Sequence, residues 1–246
     1  MLGDFVCGSS ALGGVADDTL NHLNSSIQRF GQRSIGFLND VFDENAQTFG
    51  AFCARAFLEN SCAALVGRLD PFRLMYLAEF QAQAGFEYGR SSNSAFRWTG
   101  DVLPDDKPPH EMWGPDHNLN KVSRALFSAY AEHVFWRPAV TSALDAIESD
   151  SSDLLDELRS LDPQTYVGYV RGRCASLYST FSKGVHWDFF KSTIILDEET
   201  IKSSIRETVL ILSGLSLVSH FIPTAYRSLS SGLAIESYKT IRGSFE

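Results

Sequence analysis

Apolar residues recur at three-to-four spacing along most of this 246-residue chain, and that period predicts helices nearly throughout. An amphipathic helix is expected from Asp17 or Asp18, either of which suits an N-cap, to about Gly31. The run "ENAQTFGAFCARAFLENSCAALVGRL" puts Phe49, Phe52, Cys53, Ala56, Phe57 and Cys62 near one face of a second helix. Asp70 then caps a third, with Pro71 at the first helical position, where a missing N–H costs nothing. The second and third helices read as an antiparallel hairpin.

The period lapses between Asp101 and Asn118, where "DVLPDDKPPHEMWGPDHN" is rich in proline and reads as a loop, unusually long for a compact domain. It resumes in "LNKVSRALFSAYAEHVFW", where Val122, Leu126, Tyr130 and Phe135 predict an apolar helical stripe, and Pro138 restarts the chain into "AVTSALDAI". Asp162-Pro163 repeats the cap-then-proline pattern before "YVGYVRGRCASLYSTFSKGVHW". After a turn or strand-like "KSTIIL", a long helix starts at "DEET", acidic where the helix dipole favours it, and a last helix follows from "TAYRSLSSGL". The fold class expected is all-α: a multi-helix bundle of seven to nine helices in one domain over 1–246. Within it, an N-terminal hairpin (15–90) and a C-terminal bundle (119–246) flank the proline-rich loop (101–118).

Composition changes this picture in three ways. The net charge of −9 disfavours non-specific nucleic-acid binding over the whole surface, though not a local basic groove. Cys7, Cys53, Cys62 and Cys174 have no metal-ligand spacing, so buried reduced thiols in a cytoplasmic protein are expected, with no metal and no cofactor. The N-terminus lacks a basic region before its apolar residues. The apolar run Val209–Ile222 is too short to span a bilayer and is interrupted by serines, so no membrane association is expected.

Charge is unevenly distributed. From Asp145 to Asp162, seven carboxylates face only Arg159, which suits either a solvated face or a docking surface for a basic partner. The next helix holds the one basic patch, Arg171, Arg173, Lys183 and Lys191 against Asp188. On that helix Tyr178, Ser182 and His186 share a stripe, with Lys183 one turn before His186. Metal-independent RNA cleavage needs a base, an acid and a cation at the phosphate, so His186, Lys183 and Arg173 are the candidate catalytic residues. Arg171, Tyr178 and Ser182 are candidates for phosphate binding. A histidine hydrogen-bonded within an aromatic core is the competing reading, and Gly184 is a candidate helix terminator.

The run "LYSTFSKGVH" resembles a helix of HEPN-like all-helical proteins, in which a Tyr-x-x-Leu-Ser-x-x-Val-His type sequence lines the bundle. The resemblance implies a helical dimer related to bacterial toxin–antitoxin and anti-phage assemblies, many members of which are metal-independent endoribonucleases. Nucleolytic members carry an arginine close before the histidine. Here Lys183 and Ser182 precede His186, and the nearest upstream arginine is Arg173, thirteen residues back. Non-catalytic members serve as binding or assembly subunits.

Elsewhere, Arg97 and Trp98 form a pair able to stack on a base or on a partner side chain. His110, Glu111, Asp116 and His117 are the loop residues closest to a metal-ligand set. Ser213, Gly214, Ser216 and Ser219 make a small-residue face, and His220 reads as a core histidine with satisfied hydrogen bonds. The expected function is therefore a helical interaction subunit that binds a protein partner or a second copy of itself, and RNA in addition. The alternative is a HEPN-type ribonuclease built on His186.

Overall fold

The structure, a computed structural model, describes residues 2–9, 13–39, 46–87, 95–105, 111–114, 122–186 and 197–245, and of 47, 48 and 186 the backbone alone. Among the described residues the chain is all-α, without a β-strand. Its helices are α1 (Leu2–Cys7), α2 (Val15–Leu38), α3 (Ala51–Leu69), α4 (Pro71–Gln81), α5 (Ala129–Ala131), α6 (Arg137–Ile147), α7 (Asp156–Arg159), α8 (Tyr166–His186), α9 (Glu198–Ser219) and α10 (Ser231–Gly243).

The core forms around α3 and α9, which touch each other and, between them, every other long helix. Cys53, Ala54, Phe57, Leu58, Ser61, Cys62, Leu65 and Val66 of α3 are buried, a set that goes most of the way round the helix. Phe49 and Phe52, expected on the same inward face, are half exposed instead. A π-helical turn over Ala46–Gly50 takes Phe49 out of the α3 register, and Phe52, inside α3 but five residues before Phe57, points about 140° away from it around the helix. Helix α2 does not stop at Gly31. A Cβ there would lie 3.3 Å from Phe57 Cε2, so the glycine serves close packing of α2 on α3, and the helix continues to Leu38.

The predicted cap at Asp70 is present, its carboxylate accepting from Arg73 N at 3.1 Å, and Asp197, expected only as part of an acidic first turn, caps α9 by accepting from Thr200 N at 2.8 Å. The segment from Val122 to Ser128 departs from expectation. Leu126 N and Phe127 N donate to Asp101 O and Val102 O at 2.8 and 3.1 Å, holding the segment non-helical until Ser128 caps α5. Pro138 interrupts nothing, because a π-helical turn over Glu132–Trp136 carries α5 into α6 and places the proline in the first turn of α6. Gly184 does not end α8.

The largest difference from the sequence reading is α1, which the periodicity did not mark. Phe5, Val6 and Cys7 are at most 1 % exposed. The fully buried Arg68 of α3 explains this. Its five N–H donors reach Tyr226 O, Val6 O, Ser219 Oγ, His220 Nδ1 and Ser228 Oγ, all neutral acceptors. His220 Nδ1 also accepts from Leu229 N at 3.1 Å, so the ring proton sits on Nε2 and is donated to Phe5 O at 2.8 Å. Burial, then the Arg68 charge, push His220 down to about 3. Beside this knot, Arg227 at φ 61° lies 3.7 Å from buried Asp17 and donates to Ser9 O, Gly8 O and Asn21 Oδ1. Asp17 is thus a core anchor and not the cap of α2. All four cysteines are buried free thiols, as expected.

Candidate functional site

The residues proposed on α8 are not assembled into a cluster. Arg173, although well exposed, is claimed by Glu207 of α9 through both Nε and Nη2, and the contact holds the guanidinium above its ordinary range. Lys183 is exposed and Arg171 partly so. Ser182 Oγ is buried and finds no hydrogen-bond partner among the described residues. The backbone of His186 forms the last residue of α8, while its side chain, with Lys191 and "KSTIIL", lies outside the described residues. His110, Asp116 and His117 lie outside them too, and among those described no three His, Cys, Asp or Glu side chains converge on a metal position.

Two predicted binding residues do meet. The rings of Trp98 and Tyr178 stack at 4.4 Å with planes 7° apart. Arg55 of α3 donates from Nη2 to Tyr178 Oη at 2.8 Å and sits 4.7 Å from the centre of that ring. Trp98 is therefore occupied by the protein itself. What the stack accomplishes is to hold the short turn that follows, Trp98–Val102, against α3 and α8.

That turn builds a cleft. Gly100 adopts φ +106°, and a Cβ on it would lie 3.0 Å from both Arg97 Nη2 and Asp105 Oδ2, so only glycine fits without strain. The turn aims Asp101, 2 % exposed, inward. Its Oδ2 accepts from Arg97 N at 2.6 Å and its Oδ1 pairs with Arg73 of α4. Asp70, the cap of α4, lies 3.8 Å from Arg124 Nη1. Three carboxylates, Asp70, Asp101 and the exposed Asp105, thus stand among three arginines, Arg73, Arg97 and Arg124, around a cavity of about 380 Å³. Phe72 and Tyr76, 70 % and 58 % exposed, line it as well.

The guanidiniums crowd one another. Burial depresses Arg73 below its ordinary value; Asp70 opposes the shift, while Arg124 and Arg97 add to it. Asp101 is already committed to Arg73, and Arg124 is 76 % exposed at the long end of its contact with Asp70. An anion entering here would relieve that crowding, and guanidinium is the side chain best shaped for carboxylate or phosphate. No histidine or cysteine lines the cleft among the described residues, and Ser123 Oγ accepts from Ala125 N at 3.3 Å.

Of this site the sequence reading identified Arg97. Arg73, Arg124, Phe72 and Tyr76 were missed. One signal was available: Phe72, Met75, Tyr76 and Phe80 form an apolar stripe on α4 separate from the buried Leu74 and Leu77, and packing leaves that stripe in solvent. The acidic stretch is partly neutralised from within, since Lys239 and Arg242 of α10 pair with Asp150 and Glu157 at 2.5 and 2.6 Å.

Comparison with protein-family models, with curated proteins and with solved structures returns no match. Among the described residues no helix is long and apolar enough to cross a membrane.

Proposed function

We propose that this chain is a helical interaction subunit that receives an acidic segment of a protein partner in the Arg73–Arg97–Arg124 cleft. The observation that carries this reading is the convergence of three guanidiniums on one cavity, against buried Asp101, which is already spent on Arg73, and the exposed Asp105. The exposed rings of Phe72 and Tyr76 supply contact area beside the charge, the combination of arginine and aromatic that protein interfaces favour. The HEPN-like resemblance enters this proposal through its non-catalytic members and rests on the Leu177–His186 sequence alone. The ribonuclease alternative would draw its cation from Lys183, since Arg173 is held by Glu207.

The test is fluorescence anisotropy with a labelled glutamate-rich decapeptide and, separately, a labelled single-stranded RNA decamer. Binding of the peptide that weakens with added salt supports the reading. Binding of the RNA alone, or its cleavage without metal and loss of that cleavage in His186→Ala, overturns it.

A further inference from the structure

A second cavity, of about 250 Å³, adjoins the arginine cleft, and Ser123 and Arg124 line both. Val66 and Leu69 at the end of α3 form one side of it, with Asp70 beside them, and Leu126, Ala131, Val134 and Phe135 form most of the apolar remainder. It exists because the Val122–Ser128 segment runs non-helical along Asp101 and Val102, where a helix would have packed its side chains against α3. The polar atoms at its wall are engaged: Asp70 Oδ1 accepts from Arg73 N at 3.1 Å while its Oδ2 lies 3.8 Å from Arg124 Nη1, Ser128 Oγ accepts from Ala131 N at 3.2 Å, Ser123 Oγ accepts from Ala125 N, and Tyr130 Oη donates to Met112 O at 3.4 Å. An apolar cavity of about 150 Å³ suffices for a benzene ring, so this one has room for a leucine or phenylalanine side chain.

Resting on the acidic-segment reading, we propose that this pocket anchors an apolar side chain of the same partner segment, so that the motif recognised is a leucine- or phenylalanine-type residue flanked by carboxylates. Arg124, shared by the two cavities, sets the two chemistries side by side. RNA offers no apolar group to fill the pocket, and a nucleobase would find its edge atoms unanswered there. The chain's own acidic stretch is a poor occupant, because Leu155 and Leu158 are buried and Asp150 and Glu157 already hold Lys239 and Arg242. A separate partner fits better.

The experiment compares three labelled pentapeptides on the full chain, each with two glutamates on either side of a central leucine, alanine or lysine. Burying the leucine raises affinity over alanine by on the order of tenfold or more, given about fourfold per methylene removed from water. The lysine peptide binds no better than the alanine one. Val134, 51 % exposed, tolerates Val134→Gln, which abolishes the leucine preference and leaves alanine-peptide affinity unchanged. Ala131→Leu, which fills the cavity from within, does the same by a second route. Equal affinity for the leucine and alanine peptides overturns the anchor and leaves the acidic-segment reading standing. Failure of every peptide to bind a folded chain overturns both.

Discussion

The backbone N–H of Arg97 is held 2.6 Å from Asp101 Oδ2, on the same buried carboxylate that takes the guanidinium of Arg73. One aspartate thus ties the turn after Trp98 to the first turn of α4, and its own carbonyl receives Leu126 N at 2.8 Å. Three segments distant in sequence meet at this residue, so the cleft is as rigid as Asp101 makes it.

Replacement Asp101→Asn keeps the shape and removes the charge. Arg73 then lacks its counter-ion, and stability falls by about 1–3 kcal/mol, measured by urea unfolding. Because Arg73 is released toward the cavity, affinity for a glutamate-rich peptide changes by a larger factor than in a surface control such as Glu198→Gln.

Removing Arg68 has no bearing on the cleft and a large effect on the fold. In Arg68→Met the carbonyls of Val6 and Tyr226 lose this donor together, and His220 Nδ1 is left with Leu229 N alone. The expected drop in melting temperature is roughly 6–12 °C. Arg68→Lys recovers little of it, since an ammonium has three donors for five acceptors and lacks the planar fork. Both effects are read by thermal unfolding followed by circular dichroism.

His220 makes stability depend on pH. Its folded value, about 3, lies below the ordinary 6.5, so between these limits the unfolded chain binds more protons than the folded one. The contribution is complete above about 6.5 and is lost progressively as pH falls toward 3. Urea titrations at pH 7 and pH 5 should show a drop for the wild type, and a smaller drop for His220→Gln.

How much of this could be read from the sequence depends on how local each feature is. The Asp70-Pro71 cap, the acidic first turn and core burial of α9 and the satisfied His220 are written in neighbouring residues and were legible. Helix α1 was not, because six residues carry too little periodicity and their burial is imposed by Arg68 from α3. The non-helical course of Leu126 and Phe127 was equally hidden: its cause is the backbone of Asp101 and Val102, and the local pattern is that of a helix. Trp98 and Tyr178 were both named as ligand contacts, yet they stack on each other, which no one-dimensional reading reveals. The cleft draws Arg73, Arg97 and Arg124 from three separate segments, and only Arg97 stood beside a residue unusual enough to attract notice.

The most direct measurement is the affinity of a glutamate-rich decapeptide for the wild-type chain and for the double variant Arg97→Ala/Arg124→Ala, by anisotropy at low salt. Both side chains are exposed, so the variant is expected to fold as the wild type does, which its melting temperature checks. The account predicts salt-sensitive binding by the wild type and a loss on the order of tenfold or more in the variant, as the removal of charge-assisted contacts requires. Unchanged affinity in a folded variant would place the partner elsewhere and contradict the account.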